Sequence, residues 1–224
     1  MNDYVIAVAI FVVVAGAIIL IALISRQRSK KLAEWALSKG LTFSSGTDSS
    51  FESKYPSFDC LRKGRDRYAY NVMYGALTDR VFLGCDYHYV TGHGRHRRDH
   101  DFSLVIVKSP ILLKPLIVRP ENFLDKLAEV AGFDDIDFEF AEFNKKFYVK
   151  SPDKKWAYDI INAKMMEFLL KMPVFSIQFD LLSVIVYRDR LFSTVDFEAA
   201  INLVNGVFER IPEYVNQNQQ LRPV

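Results

Sequence analysis

Residues Tyr4–Ser25 read YVIAVAIFVVVAGAIILIALIS, a run without a charge or a proline and with Gly16 as its one poor helix former. At 1.5 Å per residue a helix of this length covers roughly 33 Å, enough to cross a hydrocarbon core of about 30 Å. Inside lipid every backbone polar group needs an internal partner, which makes this stretch a helix. The rest of the chain is then a domain tethered at its N-terminal end. The expected division is a short tail (1–3), the transmembrane helix (4–25), a juxtamembrane basic segment with a helix (26–43), a soluble domain (44–215) and a flexible tail (216–224).

The flanks of the apolar run set its orientation. Arg26, Arg28, Lys30 and Lys31 follow it directly, whereas Asp3 is the only charged residue before it. A cleaved signal peptide would carry a basic segment first and a shorter apolar stretch. The order here is that of an uncleaved anchor, and the positive-inside rule puts the basic side, with the domain, in the cytoplasm. Cys60 and Cys85 are too few for a disulfide framework and agree with a reducing compartment. Beyond residue 31 acidic and basic residues nearly balance, which argues against a nucleic-acid binder.

Outward from the anchor, SKKLAEWALSKG continues the helical pattern and stops at Gly40. Trp35 fits either the lipid interface or the domain surface. Residues 44–59 are rich in Ser, Gly, Asp and Pro and are expected to be irregular. Arg67–Tyr74, Arg80–Val90 and Phe102–Lys108 have strand composition, and FSLVIVKS is apolar enough for burial on both faces. A helix is expected from Pro120 to Gly132, then an alternating strand with Ile136, Phe138 and Phe140 on one face. Phe147–Lys150 is a further short strand. A second helix is expected from Ser151–Asp153 to Pro173, with Trp156, Ile160, Met165 and Leu169 facing the core. VFSIQFD alternates, which sends Ser176, Gln178 and Asp180 outward, and pairs with SVIVYRD. A last helix starts with Thr194 as its cap and ends at Pro212. The class is α+β: a transmembrane helix, then antiparallel sheet with about three packed helices.

The stretches GFDDIDFE (132–139) and EFNKKFYVKSPDKKWAYDIINAKMMEFLL (142–170) carry a resemblance. With NVMYGAL, LGCDYHYVTG and VRPEN upstream, the chain resembles a family of bacterial membrane-anchored proteins that join an N-terminal transmembrane helix to one domain of unknown function. The resemblance implies a bacterial origin and the anchored architecture. It implies no catalytic residues.

The sequence shows one unusual cluster. His88, His93, His96 and His100 all fall in DYHYVTGHGRHRRDHD, among Asp86, Asp99 and Asp101. Imidazole and carboxylate suit zinc and related metals, yet the spacings match no established metal motif and three arginines would repel a cation. A second reading is anion or lipid-headgroup binding by Arg95, Arg97 and Arg98, added to the juxtamembrane cations. A third is a solvated hairpin tip. Cys85 and His88 are an odd number of strand positions apart and so lie on opposite faces. The acids Asp134, Asp135, Asp137, Glu139 and Glu142 lack the calcium-loop pattern. No nucleophile elbow, phosphate loop or zinc-protease motif occurs. The expectation is a non-enzymatic binding or scaffolding module at the bacterial inner membrane. Its expected partners are the bilayer and a protein at the inner membrane, without cofactor or nucleic acid. The alternative is an enzyme or metal-binding protein using loop 86–101.

Overall fold

The structure, a computed structural model, describes residues 2–77, 79–121 and 136–218. Its first element, α1 (Asn2–Ser38), joins the apolar run and the juxtamembrane segment in one helix, about 55 Å long. Among the described residues Ile6–Ser38 is the helix long and apolar enough to cross a membrane. No residue from 6 to 27 is buried, whereas Leu32 and Ala36 lie in the domain core. The helix therefore changes surroundings at Arg28, from an exposed apolar stretch to the domain core. Gly40, at φ +73°, turns the chain away from the helix.

The chain continues through β1 (Thr42–Ser44), α2 (Phe51–Lys54) and a 3-10 turn (Asp59–Leu61) into β2 (Arg65–Leu77), β3 (Arg80–Thr91) and β4 (Arg98–Lys108). Then come β5 (Leu116–Pro120), α3 (Ala141–Asn144), β6 (Phe147–Lys150), α4 (Lys154–Ile160) and α5 (Ala163–Lys171). The hairpin β7 (Ser176–Asp180) and β8 (Ser183–Arg188), then α6 (Thr194–Arg210) and α7 (Glu213–Asn218), complete the fold. The strands form one eight-stranded sheet, ordered β1-β2-β3-β4-β8-β7-β5-β6, with every pairing antiparallel. The class is α+β, as its composition implies.

Both faces of the sheet centre are covered. On one, the C-terminal part of α1 and helices α4–α6 bury Met73, Phe82, Val105, Val186, Phe197 and Val204. On the other, α2 and the 3-10 turn lay Phe51, Phe58, Cys60 and Leu61 over Cys85, Tyr87, Leu104 and Ile185. The apolar run in β4 is thus buried twice over. The same cover corrects the expected outward set of β7. Ser176 and Gln178 are buried, and Gln178 donates to the Ser57 carbonyl at 2.9 Å. Segment 44–59, read as a loop, supplies that cover.

Four other expectations differ. Pro120 is not a helix start but the last residue of β5, opposite Phe147; the remainder of the helix expected there lies outside the described residues. Ile136–Phe140 joins no strand ladder. Ile136 donates one bond to Val149, and Phe138 is held at both backbone groups by the Asn144 side chain, with its ring buried. The helix expected from 151 to 173 is two helices. Asn162 accepts from the Met165 amide at 3.1 Å and caps α5, and Ile161 leaves helical geometry just before it. The last helix is capped one residue earlier than expected, by Ser193, in a reciprocal box with Asp196.

Candidate functional site at the helix–sheet junction

The largest departure from a sequence reading is at Arg28. Among the four juxtamembrane cations it alone turns into the domain. Its Nε donates to Asp86 Oδ2 at 3.0 Å and its Nη2 to Asp86 Oδ1 at 2.7 Å, a two-pronged pair. Its Nη1 donates to the Phe192 carbonyl at 2.8 Å. Asp86 is wholly buried, while the Arg28 side chain keeps 23% of its exposure.

Asp86 stands at the middle of β3, on the face toward α1, and both its oxygens are doubly satisfied. The Ser103 hydroxyl from β4 joins Arg28 on Oδ1, and the Asn71 amide, at 2.9 Å, joins it on Oδ2. Ser103 in turn accepts from the Phe192 amide at 2.8 Å. Asn71 holds the second prong, since its Oδ1 accepts from the Ser29 hydroxyl at 2.8 Å. Asn71 has φ +50° and sits at an irregularity of the β2–β3 register, which aims its amide at the cluster. Buried charge is costly unless paired and hydrogen-bonded, and here every partner comes from a different element. The arrangement is a lock: β2, β3, β4 and the loop before α6 all grip the helix at the point where it leaves the domain.

Trp35 belongs to the domain rather than to lipid. Its ring stacks on Phe197 at 5.7 Å, and its Nε1 donates to Glu198 at 3.1 Å. Arg26, Lys30 and Lys31 are exposed.

The four histidines are distributed by the β3–β4 register. His88 pairs with Asp101 across the ladder and contacts it through Nδ1 at 3.1 Å, with Tyr68 stacked on its ring at 4.8 Å. His100, opposite Tyr89, stacks on that ring at 4.6 Å and meets the Thr91 hydroxyl at 2.7 Å. Cys85 and Tyr87 face the second core, so His88, on alternate positions with Asp86, lies on the other face. His93 and His96 are exposed in the hairpin tip beside Arg95, Arg97 and Arg98. His88 also has Asp99 at 3.7 Å, yet among the described residues no group of three such side chains is placed to hold a metal ion.

The two thiols are unsuited to attack. Burial pushes Cys60 and Cys85 up, and the neighbouring Asp86 carboxylate raises Cys85 further. Burial likewise raises the Tyr70 phenol, reinforced by Asp86 and Asp101.

No protein-family model and no curated protein matches the sequence. The fold does match a solved structure, the crystal structure of the mycobacterial trehalose monomycolate transport factor A. The match has a TM-score of 0.66 at 10% identity and covers 89% of this chain and 99% of that one. At that identity the likeness is one of fold.

Proposed function

We propose that this chain is a single-pass protein of the bacterial inner membrane whose α+β domain, on the cytoplasmic side, works as a non-enzymatic binding or scaffolding module. One observation carries the reading: the apolar helix continues without a break into the domain core. α1 runs unbroken from the exposed apolar span into the core, and Arg28 is clamped on buried Asp86 at the crossing. A flexible tether would serve an enzyme acting on soluble substrates. A locked helix fixes the height and facing of a docking surface above the bilayer, as a scaffold requires.

The buried polar cluster supports the same view, because its donors and acceptors satisfy one another and the thiols are sealed in the core. The matching fold belongs to a transport factor, so the proposed partner is a membrane transport assembly. The basic cluster Arg26, Arg28, Lys30 and Lys31 sets the cytoplasmic side.

The test is topology. Fusions of a cytoplasm-active reporter and an export-active reporter to the C-terminus are expected to give signal from the first alone, with the protein in the carbonate-resistant membrane fraction. Export-active signal would overturn the cytoplasmic placement, and release by carbonate would overturn the spanning anchor.

A further inference from the structure

From the geometry of this junction we infer that the β3–β4 hairpin tip, Gly92–Arg98, is a second membrane contact that engages anionic headgroups of the bilayer holding the anchor. The inference rests on the anchored reading and adds a docking surface to it.

Direction comes first. Arg28 meets β3 at Asp86, and Leu41, after the end of α1, packs against Gly75, the ladder partner of Phe82. Moving forward along α1 therefore means moving backward along β3. Moving from Asp86 to the hairpin tip then follows the sense of α1 back toward its apolar span. The tip lies on the membrane side of the lock.

Reach comes second. From Asp86 to Thr91 the strand extends about 16 Å at 3.3 Å per residue. From Arg28 to Ser25, the edge of the apolar run, is about 4.5 Å along the helix. The hairpin is more than three times as long as that separation, so its tip is within reach of the headgroup layer, and charge decides whether it engages. Its charges stop it there, because arginine is costly in hydrocarbon.

Chemistry comes third. Between Thr91 and Arg98 the tip carries no acid. Arg95 and Arg98 are exposed and without an ion-pair partner among the described residues, while Arg97 pairs with Asp99 at 2.7 Å. The tip is also shaped. Gly92 has φ +69°, and a Cβ there would sit 2.1 Å from the His96 carbonyl oxygen. His96 and Arg97 close a 3-10 turn on His93 and Gly94. On the same face, Tyr70, level with Asp86, and Tyr68, nearer the tip opposite His88, lie 5.9 Å apart, the residue type that favours headgroup depth. Guanidinium groups match phosphate oxygens, and each basic group near an anionic surface contributes about 1 kcal/mol, roughly five-fold.

The full-length chain carrying His96→Cys takes an environment-sensitive fluorophore at the tip, since both native cysteines are buried. It is reconstituted into vesicles of phosphatidylcholine alone or of phosphatidylcholine and phosphatidylglycerol in equal parts, each with a headgroup-nitroxide lipid. Strong quenching is expected in the anionic vesicles and weak quenching in the neutral ones. Arg95→Ala with Arg98→Ala should lower the engaged-to-free ratio roughly thirty-fold, and high salt should do the same. Equal quenching in both vesicle types, or quenching indifferent to the two arginines, overturns the inference. A second probe at Ile18→Cys, read with an acyl-chain nitroxide, separates the two readings. Quenching at residue 18 without quenching at the tip removes the hairpin contact and leaves the anchor. Loss at residue 18 removes the anchor itself.

Discussion

Arg28 shows how one side chain can serve two purposes at different scales. In the sequence it reads as one of four cations flanking an apolar helix; in the fold it compensates a carboxylate with no access to water. Removing one partner of such a pair leaves a buried charge, which costs 3 to 5 kcal/mol in general. Arg28 keeps some water, so Arg28→Ala is expected to cost about 3 kcal/mol and Asp86→Ala to fall in the same range. The pair Arg28→Met with Asp86→Leu should recover much of that loss, because neither charge is then stranded. Chemical denaturation of the detergent-solubilised chain, followed by the fluorescence of Trp35 and Trp156, measures all three; a double variant no more stable than the singles would sink the account. Gly206 makes a second case. It sits inside α6, where glycine costs about 1 kcal/mol relative to alanine, yet an added Cβ would lie 2.2 Å from the Phe168 ring of α5. Gly206→Ala is therefore expected to destabilise by about 1 to 3 kcal/mol despite its better helix propensity. Phe168→Ala in the same chain should abolish that penalty in a double-mutant cycle. Neither role was legible from residue type: an arginine after an apolar span looks like a topology signal, and a helical glycine looks like a weakness.

Elements were legible where local chemistry and tertiary demand agreed. The β7–β8 hairpin and the body of α6 follow from period and composition, and β4 from its apolar run. Failures came where one polar side chain competed for the backbone. Asn162 looks like an ordinary member of an amphipathic stripe, yet its carboxamide captures the Met165 amide and splits one helix into α4 and α5. Asn144 does the same to Phe138, turning an alternating segment into a pinned loop. At the start of α6 the competition works for the helix. Burial would raise the Asp196 carboxyl, but hydrogen bonds from Arg190 and from the amide and hydroxyl of Ser193 prevail and hold it at about 2. Arg188 adds a contact at 3.0 Å. A carboxyl depressed in the folded state stabilises above its unfolded pKa, near 3.8, and that contribution is lost as pH falls toward about 2. The wild-type chain should therefore exceed Asp196→Asn in unfolding midpoint at pH 5, with the gap closing between pH 4 and pH 2. Ser193→Ala, which removes half of the capping box, should cost about 1 kcal/mol with little pH dependence above pH 4. A gap between wild type and Asp196→Asn that stays constant down to pH 2 would show that the carboxylate is not what holds the helix start.

At the scale of the molecule, a single helix carries both an exposed apolar stretch and a segment of the domain core. The helix itself was readable because a long apolar run without charge or proline admits few alternatives. The lock was not, because it joins Arg28, Asn71, Asp86, Ser103 and Phe192, positions up to 164 residues apart, and no local pattern marks residues that meet only after the sheet has formed. The hidden second core has the same origin: Phe51, Phe58 and Cys60 lie in a stretch with turn composition, and only the sheet's second face gives them a place. That layer can be tested through its thiols. Cys60 and Cys85 are both free and buried in it, and burial holds both thiols well above their ordinary range. They are expected to resist a maleimide in the folded, membrane-inserted chain and to react together once denaturant opens the domain. If the cover formed by α2 and the 3-10 turn detaches on its own, both thiols will react at denaturant concentrations that leave the fluorescence of Trp35 and Trp156, both in the first core, unchanged. If the two layers and the lock form one cooperative unit, labelling and fluorescence will share a midpoint, and Arg28→Ala will lower both together. The second outcome is expected, because Cys85 and Asp86 are adjacent on β3 and point to opposite faces, which makes that strand the common wall of both cores.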